Sequence, residues 1–110
     1  MRRREVWWAD LPEPRGHRPV LLLTRNRAIP VRNAVTVAEI TRTIRDIPVE
    51  VRLDEGDGMP TACVVNLDVI NTVPKALLIE RITTLSDEKM AQVEAAIRYS
   101  LGMRDKWVKL

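Results

Sequence analysis

The sequence predicts a mainly β domain: a small, strongly bent sheet or barrel closed by one amphipathic C-terminal α-helix. Three observations predict it. Short apolar runs alternate with a period of two and are cut off by Pro, Gly, Asn or Asp turn signals. The period changes once, after Ser86, to that of a helix. A chain of 110 residues, 45% of them hydrophobic, supports one core and not two, so 1–110 reads as a single domain. Short strands with a single helix have few ways to cover both sheet edges, and strong bending is one of them.

Glu5 to Asp10 reads as the first strand, short and aromatic, behind a basic tail (1–4) that nothing in the sequence orders. Two prolines and a glycine in Leu11-Pro12-Glu13-Pro14-Arg15-Gly16 stop it. Strand two is Pro19–Thr24: Pro19 lacks an amide donor, which the first residue of a strand tolerates, and it pushes Arg18 into an extended conformation. Arg25–Asn33, interrupted by Pro30, is a polar loop. Ala34–Thr41 forms strand three, with Val35, Val37, Glu39 and Thr41 on one face and Thr36, Ala38 and Ile40 on the other. Val49–Leu53 alternates apolar and charged, as on a sheet with one wet face, and Asp54–Gly58 supplies a turn. Thr61–Leu67 is the fifth strand, and a shorter one near Leu77–Ile82 follows Pro74-Lys75.

The final element is a helix over 86–101. Ser86 is a good N-cap, Asp87 and Glu88 suit the positive end of the helix dipole, and Leu85 with Met90 has the spacing of a hydrophobic staple. Met90, Val93, Ile97 and Leu101 then repeat as one apolar face, ended by Gly102. No internal repeat or low-complexity segment interrupts this plan.

Charge is distributed unevenly. Residues 1–52 carry eleven Arg against six acids, a balance of +5, whereas 53–110 carry seven cations against nine acids, a balance of −2. Arg outnumbers Lys fourteen to four, and the planar guanidinium favours phosphate, so the basic half suits a nucleic acid. The lone Cys63 makes no internal disulfide and sits in an apolar run, which reads as a buried, inert thiol in a reducing compartment. No apolar run is long enough for a bilayer, and Met1-Arg2-Arg3-Arg4 leads into Glu5 and Trp7-Trp8 in place of a signal-peptide core, so the chain reads as cytoplasmic.

Five pieces, in order and with compatible spacings, resemble one family: Val6-Trp7-Trp8-Ala9-Asp10-Leu11, Gly16-His17-Arg18-Pro19-Val20-Leu21, Ile40-Thr41-Arg42-Thr43-Ile44-Arg45, Val64-Val65-Asn66-Leu67-Asp68 and Ile82-Thr83-Thr84-Leu85-Ser86. Together they are similar to the MazF/PemK-type toxins of bacterial type II toxin–antitoxin systems. The resemblance implies an SH3-like barrel with a C-terminal helix, a homodimer, and a metal-independent, sequence-specific endoribonuclease of the mRNA interferase type that needs no cofactor. Its substrate would be single-stranded RNA, and its inhibitor a cognate MazE-type antitoxin with an acidic, disordered tail. Arg18 matches the family's catalytic arginine and Thr41 its catalytic hydroxyl. Asp68 stands at an acidic position that some relatives use as a base or a base-reading group; it reads equally as a strand-end Asp capping a turn through Asn71-Thr72. Asn66 and Asn71 stand where relatives often carry arginine, so some of the phosphate or subunit contacts that the resemblance implies are either weakened or replaced by residues such as Arg42 or Arg45. The loop between strands one and two is also shorter than the family's usual glycine-rich loop.

The residues agree chemically with this implication. Cutting RNA without a metal uses the 2′-hydroxyl as nucleophile and needs a proton acceptor, a proton donor for the leaving 5′-oxygen, and donors around the phosphorane. One His, one Cys and no close acid cluster outside Asp54–Asp57 offer no metal-ligand constellation. The fork of Arg18 suits a pentavalent phosphate, and Thr41 is a neutral donor. His17 reads either as general acid or base or as a loop histidine, and it shares a site with Arg18 only if the chain bends at Gly16. Arg15, Arg25, Arg27, Arg42 and Arg45, with Trp8 as a stacking face, are the candidate RNA contacts, against solvated-turn readings for the loop arginines and core readings for Trp7 or Trp8. Trp107 reads as a terminal packing residue. Two rivals remain at this stage: a non-catalytic nucleic-acid-binding module on the same barrel, and a CcdB-like, gyrase-directed toxin.

Overall fold

The first hairpin sets the architecture. β1 (Glu5–Asp10) and β2 (His17–Leu22) pair antiparallel from Val6 opposite Leu21 to Asp10 opposite His17. The Leu11 amide donates to the Gly16 carbonyl at 3.0 Å and closes the loop, and Gly16 takes φ +65°, a conformation that costs glycine little. β3 (Ala34–Thr41), β4 (Glu50–Leu53), β5 (Cys63–Pro74) and β6 (Leu78–Thr84) complete a six-stranded antiparallel sheet ordered β4-β5-β3-β2-β1-β6, and α1 (Asp87–Leu101) follows. This is a computed structural model, and it describes residues 1–103. Trp107 therefore lies outside the described residues.

The sheet curls without closing by strand pairing. Its two edges converge where the Thr83 hydroxyl of β6 donates to the Asp57 carbonyl at 2.9 Å, in the turn after β4. Gly58, at φ +91°, is required there, because a Cβ would run into the Thr83 side chain. The result is a mainly β half-barrel. Apolar side chains pack on both faces. One cluster joins Val6, Leu21, Ile40, Leu53 and Val65 to Met90 and Val93 of the helix; the other joins Ala9, Val20, Leu22, Val37 and Val73, with Trp7 against them. Two-sided burial explains why β2 reads as an unbroken apolar run.

The helix forms as its sequence dictates. The Ser86 hydroxyl accepts from the Lys89 amide, Gly102 ends the helix in the left-handed conformation, and Leu85 and Met90 are buried in the same cluster. Its buried stripe is Met90, Val93 and Ala96 with Ile97 alongside; Leu101, expected on that stripe, is 62% exposed in the last turn.

Other expectations are corrected. β2 runs His17–Leu22 in place of Pro19–Thr24. Pro19 is tolerated inside it because β3 joins only from Val20, and the strand ends early because the Thr24 hydroxyl takes over as acceptor from the Thr36 amide at 2.7 Å. β5 is much longer than Thr61–Leu67. Between Ala38, opposite Ile70, and Glu39, opposite Asn66, the register breaks, and Leu67-Asp68-Val69 bulge out. A bulge flips the face pattern, so the continuation is masked in sequence. Asn71 and Thr72 pair with Val37 and Thr36 in β5, so Asp68 caps no turn there. The basic tail is ordered: the Arg3 guanidinium donates to the Leu23 carbonyl and pairs with Glu94, while Arg4 donates to the Leu85 carbonyl and pairs with Asp87. It ties the helix to the sheet.

Among the described residues, no helix is long and apolar enough to cross a membrane.

Candidate functional site

Where β2 begins and β3 ends, the sheet opens into a cavity of about 570 Å³ lined by Trp8, His17, Arg18, Thr41 and Arg42 on one side and by Met59, Pro60, Thr61 and Cys63 on another. Each wall has a local cause. Arg18 comes from the strand start that Gly16 turns and Pro19 stiffens. Thr41 is the last residue of β3, and Arg42 and Thr43 follow as the chain leaves the sheet. The β2–β3 ladder begins at Val20 opposite Glu39, so Arg18 and Thr41 lie just beyond the end of the paired strands, where both line the cavity.

Arg18 is half-buried, with its side chain 34% exposed. Its Nε donates to the Arg15 carbonyl at 3.1 Å, and a terminal nitrogen donates to Glu39 Oε1 at 3.3 Å. Glu39 is buried, and its Oε2 also accepts from the Arg15 guanidinium at 2.7 Å and the Asn71 amide at 2.9 Å. Thr41 Oγ1 accepts from the Thr43 amide at 3.2 Å, which leaves its hydroxyl hydrogen as a donor. His17 and Arg18 both line the cavity although they are strand neighbours, paired in regular register with Asp10 and Ala9 of β1.

The His17 ring stacks on Trp8, 4.7 Å between centroids and 12° between planes, and its Nδ1 lies 2.9 Å from Asp10 Oδ1. The register places Asp10 directly opposite His17, so the contact is a cross-strand pair. With Nδ1 engaged by a carboxylate, Nε2 is the nitrogen left to a ligand. Trp7 faces away: it packs against the second core cluster, and its indole donates to Glu5 at 3.0 Å.

The remaining sequence candidates lie elsewhere. Arg25 and Arg27 are exposed in the loop after β2, and Arg45 is exposed after β3. Asp68 is on the β5 bulge, where it accepts from the Ser100 hydroxyl of the helix at 2.6 Å, and it does not line the cavity. Burial pushes the Cys63 thiol above its ordinary value, and the carboxylates of Asp57 and Asp54 add to this, so the cavity's sulfur is a poor nucleophile.

Sequence reasoning missed Glu39 and Asp10. The signal for Glu39 was present: an acid in phase with Val35 and Val37 must be buried, and a buried carboxylate needs cationic partners. Asp10 required the hairpin register.

The sequence profile of the PemK-like, MazF-like toxins of type II toxin–antitoxin systems matches residues 2–101. The chain is 39% identical over 100 residues to the probable endoribonuclease MazF5 of Mycobacterium tuberculosis, covering 90% of this chain and 91% of that protein. It is 40% identical over 103 residues to the probable endoribonuclease MazF2 of the same species, covering 93% and 99%. Among solved structures it is similar to M. tuberculosis toxin MazF-mt6, with a TM-score of 0.85, 33% identity and coverage of 92% and 99%. It is also similar to a mycobacterial endoribonuclease in complex with its cognate antitoxin, with a TM-score of 0.84, 27% identity and coverage of 98% and 99%.

Proposed function

The chain belongs to the PemK-like, MazF-like toxins of type II toxin–antitoxin systems, and from that premise we propose that the Arg18 cavity is where this MazF-type endoribonuclease cuts single-stranded RNA, without a metal ion. One observation carries the reading: a guanidinium, a free hydroxyl hydrogen and an imidazole converge on one open cavity. The 2′-oxygen attacks phosphorus and the bond to the 5′-oxygen breaks, giving a 2′,3′-cyclic phosphate and a 5′-hydroxyl. Arg18 holds the phosphorane through two parallel N–H donors, and Thr41 donates to a non-bridging oxygen. His17, anchored through Nδ1 by Asp10, takes the 2′-hydroxyl proton at Nε2 and returns it to the departing 5′-oxygen. Asp68, engaged with Ser100, takes no step.

Arg42 extends the cavity along the RNA backbone, joined by Arg15 and, further out, by Arg25, Arg27 and Arg45. One face of Trp8 is covered by His17, so an unpaired base meets the two rings as a stack. Two copies of the chain form a homodimer with one continuous groove. The test is incubation of the purified protein with a long single-stranded RNA and excess chelator. Discrete cleavage products are expected; intact RNA overturns the reading.

The same groove is the site of inhibition. A cognate MazE-type antitoxin lays an extended acidic segment along it and pairs with Arg18 and Arg25. Titration with that segment at two salt concentrations should show binding that weakens as salt rises and that an uncleavable RNA displaces. Salt-independent binding, or a complex holding RNA and segment together, places inhibition elsewhere.

A further inference from the structure

We propose that Glu39 is the positioning residue of this cleavage site, the group that sets the direction of the Arg18 guanidinium; the inference rests on the role given to Arg18 above. Glu39 is 4% exposed at the middle of the sheet, opposite Val20 of β2 and Asn66 of β5. A carboxylate so placed persists only when paired and hydrogen-bonded. Its three donors come from three segments: Arg15 from the loop before β2, Arg18 from β2 and Asn71 from β5.

The bonds are unequal in a useful way. Arg15 at 2.7 Å and Asn71 at 2.9 Å both anchor Oε2, so the carboxylate is fixed without help from Arg18. Among the described residues Oε1 has one partner, the Arg18 nitrogen at 3.3 Å, and the Arg15 carbonyl takes Arg18 Nε at 3.1 Å. Two of the five N–H donors of the guanidinium are thereby engaged by the protein. The other three stay available to a phosphate. Arg15 also offsets the Glu39 charge, so a net positive charge remains when Arg18 is counted. Glu39 therefore acts through Arg18 and touches no substrate.

Replacing the carboxylate by its amide tests this. Glu39→Gln keeps the volume but removes the charge and turns one acceptor into a donor. On an RNA whose cut site has been mapped, Glu39→Gln should lower kcat roughly 100-fold with little change in KM, the loss expected when a reacting group is displaced by about 1 Å. In an Arg18→Ala background the same substitution should change the residual rate by less than about twofold, because neighbours acting through one another are not additive. Wild-type kcat in Glu39→Gln, or an equal loss in both backgrounds, overturns the proposal. Should the variant fail to fold, nitrogen-15 spectra of the wild-type protein decide. The Arg18 Nη1 protons, which face Glu39, should exchange with solvent at least about tenfold more slowly than the Nη protons of Arg25 and Arg27, and equal rates overturn the tether. Arg18→Ala cutting at the wild-type rate would instead overturn the cleavage reading, and the exchange rates would still decide the tether.

Discussion

Arg18→Ala should lower kcat by about 10²–10³-fold, the range found when a donor to a developing oxyanion is removed. The side chain is not part of either core cluster, and its tethers are hydrogen bonds to Glu39 and to the Arg15 carbonyl. Truncation therefore acts on the transition state while the sheet persists. Arg15 and Asn71 remain on Glu39, so its charge is not left buried and unpaired. Arg18→Lys should recover little, since a point charge on a flexible stem cannot reproduce two parallel donors or keep the Nε bond. Single-turnover cleavage rates, with an unfolding curve for each variant, check the prediction. Arg18→Ala protein that cleaves at the wild-type rate would remove Arg18 from the chemistry.

A 2′-deoxy substitution at the single scissile nucleotide should abolish cutting while leaving binding within a few-fold of the natural RNA. The nucleophile in the proposed reaction is the substrate's own oxygen, and the cavity supplies donors and a proton carrier instead of an attacking group. Phosphate contacts to Arg18 and Arg42 do not involve the 2′-hydroxyl, so affinity survives. Products of the all-ribose substrate should end in a 2′,3′-cyclic phosphate and a 5′-hydroxyl, read by mass spectrometry of the fragments. Cleavage of the deoxy substrate, or a 5′-phosphate end, would contradict attack by the 2′-oxygen.

Much of the cavity is legible in the sequence. Pro19 marks Arg18 as extended, Gly16 marks a bend, and the ordered motifs bring in Thr41. The partners of these groups were not legible. Glu39 lies 24 residues from Arg15 and 21 from Arg18 in sequence, and Asp10 meets His17 only through the hairpin register. Five candidates, Arg15, Arg25, Arg27, Arg45 and Asp68, lie outside the cavity's lining, and for two of them the reasons are related. Asp68 sits on a bulge that reverses the alternation its strand had shown, and Arg45 lies beyond the point where β3 leaves the sheet.

By itself the sequence determined what nearest neighbours can encode: β1 and β3 to the residue, the helix with its Ser86 and Gly102 caps, and the extended arginine ahead of Pro19. These depend on φ preferences, capping groups and hydrophobic period, which act over a few residues. Only the tertiary structure decided the β5 bulge, the ordered basic tail, and the buried carboxylate between two guanidiniums. Each of these joins residues distant in the chain, through hydrogen bonds whose partners are chosen when the sheet curls and water is excluded. A local pattern can state that Glu39 needs a cation, but only the curled sheet brings Arg15 and Arg18 to it.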